Sequence, residues 1–408
     1  MTRIAPFVRS RRFVGGIAIV LILGAALAAR SAHAEGTTKA ADPGTSSKAT
    51  AATSKGAASA GSGPAADHLP SDQTDFVLRL RITGNVNPKS IVASATGLVT
   101  AQDMYSHSIS VFSPGGKLKG TVDDSVDLSR FGIAGHPGIS RGAPVEAAFT
   151  RDAQHLYVSN YSMFGENFGP EGQDTCSPAT APDKSFLYRI DTTTLKIDQV
   201  IPVGAVPKFV EVTPDDSTVL VTDWCSWTLS VVDVKSARLV ATIPIGGAYP
   251  RGIAISPDSR TAFVAVMGSN RIVRVDLASK KVSTLAQTGD GPREILISPD
   301  GRYLYVTNSK SGTVSKVDAA TGKVLTTVTT GDTPLSMAIS GDGLAIYIAN
   351  YQSSTVSKLR TSDLSQLARM ATYKHPIGIA YEPTTGSVWV ASDGGSIMVF
   401  QDRKPPAL

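Results

Sequence analysis

Residues 292–333 read PREILISPDGRYLYVTNSKSGTVSKVDAATGKVLTTVTTGDT, and this stretch decides the fold. It holds four short apolar or alternating runs, 295–298, 303–307, 313–317 and 324–329, separated by turn residues. Each run is strand-length and rich in β-branched residues. The first turn carries Pro299-Asp300-Gly301 and the third Thr321-Gly322, both tight-turn chemistry. The start of the unit recurs at Pro250, Pro292, Pro334 and Pro376, at a spacing of 42, and Pro207 lies 43 earlier. Pro144 and Pro88 begin longer units whose middles still align, which makes seven starts. Four strands at a period near 42 predict an all-β, seven-bladed β-propeller with four antiparallel strands per blade around a central channel.

The two ends of the repeat predict how the ring closes. The unit from Pro376 supplies only three strands, 377–381, 388–391 and 396–400. Before the first start lies an unassigned run, FVLRLRIT at 76–83, with the pattern of a fourth strand. The N-terminal strand is therefore expected to complete the last blade, which would otherwise leave an unpaired edge.

Upstream, 1–12 is basic, 13–29 is an uncharged apolar run of 17 residues, and Ala32-His33-Ala34 places small residues where a signal peptidase reads. The pattern predicts a signal peptide at 1–34, with an uncleaved anchor as its alternative. Ser10-Arg11-Arg12 also allows twin-arginine export. Residues 35–70 are mainly Ala, Gly, Ser, Thr, Pro and Lys, with no large apolar side chain before Leu69, and are expected to form a disordered linker. The expected organisation is completed by the propeller at 71–402 and a tail at 403–408. The chain has 408 residues and a net charge of +5, but 1–34 holds five arginines and no acid, and beyond it basic and acidic residues balance at 34 each. The folded part thus lacks the sustained basic surface of a nucleic-acid binder. Membrane contact is expected only through an uncleaved leader. The protein is expected to be a monomer in an extracytoplasmic compartment.

Tyr305-Val306-Thr307-Asn308 spells the tetrapeptide of the YVTN-repeat β-propellers, and variants stand at 157–160 (YVSN), 220–223 (LVTD), 347–350 (YIAN) and 389–392 (WVAS). A following T-V-S-x-[VI]-D pattern ends in Asp191, Asp233, Asp276 and Asp318. Over residues 75–402 the chain resembles this family of exported propellers, and the resemblance implies a surface or periplasmic binding protein. The pattern carries no catalytic residues. The first two blades depart from it with large insertions, and Arg360 and Gln401 stand where the strand-ending Asp is expected.

Antiparallel order puts the loops between second and third strands on one face, together with the connections between blades. That face should carry the insertion at 162–184. It should also carry Cys176 of that insertion and Cys225 of the next blade, the only two cysteines. In an exported protein they are expected to form a disulfide. The residue after each starting proline faces the channel mouth: Lys89, Val145, Lys208, Arg251, Arg293, Leu335 and Ile377. Glu146 and Glu294 follow at the next position, and Asp223, Tyr161, Trp224 and Trp227 are placed on or near the rim. A basic arc of Lys208, Arg251 and Arg293 beside aromatics predicts a site for an anionic ligand or a protein partner. Glu294 is the one neighbour that could neutralise its arginine locally. The histidines lack metal-ligand spacing, no Cys-x-x-Cys-His or G-x-S-x-G occurs, and glycine pairs such as Gly246-Gly247 precede no helix. No catalytic residue, metal or cofactor is assigned. The expected function is non-enzymatic binding through the insertion-bearing face. The alternatives are a propeller lactonase or lyase using the Arg/Glu ring, or a redox partner.

Overall fold

β-Branched runs separated by Pro-Asp and Thr-Gly turns form seven four-stranded antiparallel sheets in the computed structural model, which describes residues 69–402 apart from residue 85. Blade 1 runs from Ser90–Ala93 to Leu118–Asp123 and blade 2 from Pro144–Phe149 to Lys196–Ala205. Blades 3 to 6 have inner strands Pro207–Val212, Pro250–Ile255, Pro292–Ile297 and Pro334–Ile339. Blade 7 begins at Pro376–Glu382. Six of the seven inner strands begin at the proline that opens the repeat. The expectations for 1–34, most of 35–70 and 403–408 fall outside the described residues.

The core lies between neighbouring sheets. In blade 5 the second strand, Tyr303–Asn308, is buried on both faces, whereas the outer strand, Val324–Thr329, is half exposed. Tyr305 and Val314 of that blade pack on Met337, Ile346 and Ile348 of the next. The tetrapeptide supplies this packing and more. Its Asn or Asp is fully buried and ties the second strand to the third: Asn308 Nδ2 donates to Thr313 Oγ1 at 3.1 Å and Ser315 Oγ at 2.9 Å, and Asn350 repeats this with Thr355 and Ser357. The third strand's T-x-S spacing puts both hydroxyls on one face, within reach of that amide. The strand-ending Asp caps the following turn: Asp318 Oδ1 accepts from the Thr321 amide at 2.8 Å and from its hydroxyl at 2.7 Å.

Closure follows the expected course. Val77–Thr83 pairs antiparallel with Ser396–Gln401 and forms the outer strand of blade 7. A short 3₁₀ turn, Ser71–Gln73, precedes it and latches onto blade 6. Ser71 Oγ donates to Asp342 Oδ1 at 2.6 Å, and Arg360 Nε donates to Asp72 Oδ2 at 3.2 Å. Arg360, where the repeat otherwise has Asp, is thus a latch residue. Lys358, fully buried, donates to the Thr74 carbonyl at 2.9 Å and pairs with Asp402. Phe76 stacks on Phe400 with ring centroids 4.8 Å apart.

Candidate functional site

Each inner strand from blade 2 to blade 7 carries a β-bulge just after its opening proline. In blade 5 the register shifts between Pro292 and Ile295, and blades 3 and 4 shift likewise between Pro207 and Val210 and between Pro250 and Ile253. Bulges re-aim side chains. Here they bring two consecutive residues, such as Arg293 and Glu294, to the mouth end of the channel wall. Hydroxyls of the preceding blade's tetrapeptide fix that backbone: Ser159 Oγ donates to the Lys208 carbonyl and Thr222 Oγ1 to the Arg251 carbonyl, both at 2.7 Å. Gly252 lets blades 4 and 5 close up, because a Cβ there would lie 2.7 Å from the Arg293 carbonyl oxygen.

The structure brings Lys208, Arg251, Arg293, Glu146, Glu294, Tyr161 and Trp224 to the mouth, where their charges act on one another. Lys208 is buried and donates to Asp174 Oδ1 at 2.9 Å. It lies 4.2 Å from the centroid of the Tyr161 ring and 5.4 Å from that of Trp224. Burial, then the Arg251 charge, lowers its pKa to about 7, against the pull of Asp174. Burial works most strongly against ionisation of Asp174, but Lys208, Arg251 and Tyr161 together outweigh it and the carboxyl is lowered. Arg251 Nη2 meets Glu146 Oε1 at 3.1 Å, joining blades 4 and 2. Burial raises the Glu146 pKa although three cations oppose it. Glu294 is pushed up to about 8, by burial and then by Glu146, against contacts from Ser336 and the Met337 amide and against Arg293.

Arg293 differs from its two companions. It makes no ion pair among the described residues, and its Nε is buried without a hydrogen-bond partner. Burial and the Arg251 charge lower its pKa to about 9, against Glu146 and Glu294. Glu294, the one sequence neighbour that could neutralise it, raises its pKa but forms no ion pair with it, and the arginine–carboxylate pair lies between Arg251 and Glu146.

The insertion at 162–184 reaches this side of the mouth. Cys176 and Cys225 are disulfide-bonded, with Cα atoms 5.3 Å apart. Trp224 Nε1 donates to the Asp174 carbonyl at 2.9 Å, and the Tyr161 hydroxyl donates to the Gly172 carbonyl at 3.0 Å. One expected rim residue is placed elsewhere. Asp223 is fully buried within blade 3, where it accepts from Thr228 and Ser230, each at 2.8 Å, and from the Gly204 amide at 3.0 Å. It does the work of Asn308 and Asn350 and does not face the mouth. Trp227 packs edge-on to Tyr249, which itself stacks on Trp224.

Sequence reasoning missed two participants. Asp174 was lost within a loop whose path is defined by the disulfide and by Tyr161 and Trp224. Glu211 was legible by alternation, two residues beyond Phe209 on the same strand face. It lines the channel below the mouth, where burial alone pushes it up to about 8. Among the described residues no group of three His, Cys, Asp or Glu side chains converges as for a metal ion.

Residues 244–330 match the family described as Lactonase, 7-bladed beta-propeller, and residues 294–393 match the Cytochrome D1 heme domain family. Among solved structures, Kuenenia stuttgartiensis hydrazine synthase superposes with a TM-score of 0.60 at 19% identity, covering 76% of this chain and 94% of that one. Likeness at that identity is likeness of fold. No curated protein matches. A haem does not fit the channel. The cavity has a volume of about 220 Å³ and no histidine lines it, and both cysteines are bonded to each other. Small-molecule and cofactor pockets span about 300–1,000 Å³.

Proposed function

We propose that this chain is an exported, non-enzymatic binding propeller that captures an anionic group at its channel mouth, on Arg293 beside Arg251. One observation carries the proposal: in an arc of three cations, Lys208 and Arg251 have acidic partners and Arg293 has none among the described residues. A half-buried guanidinium without a counter-ion is a ready partner for a carboxylate or phosphate, which it can grip in two places. Tyr161, Trp224 and the 162–184 loop would form the wall beside the captured group. The disulfide supports an oxidising compartment. With the leader pattern of 1–34 and the linker composition of 35–70, it favours a signal peptide, a tether and a folded domain in the periplasm or at the cell surface.

The enzymatic alternative rests on the Lactonase match over 244–330, which spans Arg251, Arg293 and Glu294. Glu294, raised to about 8, has the pKa of a general acid or base at neutral pH. Calorimetric titration with pentanoate, succinate and inorganic phosphate separates the two. Arg293→Gln should weaken binding of the preferred anion by tenfold or more, with the melting temperature within a few degrees of wild type. Unchanged affinity would place the site elsewhere. Turnover of a lactone that is lost on the same substitution would replace binding by catalysis.

A further inference from the structure

Below the arginines the channel changes character. Its cavity is lined by three carboxylic side chains, Glu146, Glu211 and Glu294, and by no lysine or arginine. The remaining wall is largely apolar, with Phe209, Leu296 and Met337 among its members. Glu146 is engaged by Arg251 from above. Glu211 makes no ion pair or hydrogen bond among the described residues, and the inner-strand residues at its level in other blades include Val92, Leu296, Ala338 and Ala380. A carboxyl in apolar surroundings costs free energy unless something meets it. The carboxyls do not converge as ligands of one ion among the described residues, so an ammonium on an organic chain that meets Glu211 suits them better than a metal. A plain hydrocarbon would leave Glu211 unmet.

The unpartnered groups therefore differ in kind at the two levels: a guanidinium, Arg293, at the mouth, and beneath it a carboxyl, Glu211, that a bound ammonium would hold ionised. Along an inner strand the two levels are three residues apart, which the bulge reduces to about 8 Å of rise, and both side chains shorten that span. A cavity of about 220 Å³ corresponds to about seven waters at about 30 Å³ each. Building on the anion site of the preceding section, we propose that the ligand is a short ω-amino acid. Its carboxylate lies on Arg293, its ammonium lies against Glu211, and its methylenes lie against Phe209 and Leu296.

The test is calorimetric titration of the full chain with 5-aminopentanoate, pentanoate and pentylamine. The two-ended molecule should bind at least tenfold more tightly than either one-ended probe. Glu211→Gln, an isosteric change, should weaken 5-aminopentanoate and pentylamine about tenfold and leave pentanoate unchanged. Arg293→Gln should weaken 5-aminopentanoate and pentanoate and leave pentylamine unchanged. Thermal melts of both variants confirm that the ring is intact. The proposal is overturned if Glu211→Gln leaves 5-aminopentanoate binding intact, or if pentanoate binds as tightly as 5-aminopentanoate. Pentylamine binding that depends on Glu211, with no pentanoate binding at all, would overturn the anion site and uphold the amine site.

Discussion

Asp223 and Asn308 are different residues with one task, and the comparison predicts which substitutions blade 3 tolerates. Asp223 accepts from two hydroxyls and one backbone amide while fully buried. In Asn308 the amide nitrogen donates to the equivalent hydroxyls instead. Hydroxyls both donate and accept, so Asp223→Asn keeps every partner satisfied and removes a buried carboxyl that burial has pushed up to about 7. The expected outcome is a melting temperature equal to or above wild type at pH 8. Asp223→Ala strands three buried groups and should cost about 2–3 kcal/mol in denaturant titration. Tolerance of Ala and rejection of Asn would refute this role. The tetrapeptide was plain in the sequence, yet it placed Asp223 at the rim, because a strand end near a channel mouth reads alike whether its side chain turns outward or back into the sheet. The hydroxyls that claim it, Thr228 and Ser230, lie on the next strand, and only register shows that they face it.

At the level of elements, the bulges and the inserted loop build the site, and the sequence revealed them unequally. The 42-residue period aligned Lys208, Arg251 and Arg293 without any coordinates, since equivalent positions in a ring must meet at its axis. Periodicity says nothing about a loop that occurs once. The contact of Asp174 with Lys208 is therefore invisible in the repeat, although the cysteines that anchor the loop were not. Reduction of Cys176–Cys225 tests how far that anchor matters. The bond constrains the loop rather than the ring, whose sheets are closed by backbone pairing. In hydrogen exchange, residues 170–178 should lose protection on reduction, while the second strands of blades 4 to 6 keep theirs. Loss of protection across the whole ring would show that the bond holds the fold. Once Asp174 is free to leave, Lys208 loses its carboxylate, and affinity for an anion at the mouth should rise or hold rather than fall.

For the whole molecule, closure and protonation set stability. The ring is fastened by the latch at Ser71–Gln73 and by the strand Val77–Thr83. A chain beginning at residue 71 should melt with the full-length protein, and one beginning at residue 84 should melt far lower, with an exposed edge at Ser396–Gln401. Equal melting of the two would dismiss the closure mechanism. The pH dependence has an unusual sign. Asp124 and Asp223 are raised to about 7, and Glu211 and Glu294 to about 8, in each case by burial first. Their ordinary values are 3.8 and 4.5, so between about pH 5 and 7 the folded chain holds protons that the unfolded chain has released. Stability must then fall as pH rises through that window. The turn aspartates, such as Asp191, Asp233, Asp276 and Asp318, are lowered by their own hydrogen bonds. Their contribution is complete above about pH 4 and adds no slope at pH 5 to 7. Lys208, lowered to about 7, adds stability only as pH climbs beyond that value. Melting temperature at constant ionic strength should therefore drop by several degrees from pH 5 to pH 7. Glu211→Gln and Asp223→Asn together should flatten the decline, because each removes one of the protons responsible. A melting temperature that rises steadily across this window in the wild-type protein would mean that these carboxyls ionise normally. The channel would then be wetter than its lining implies.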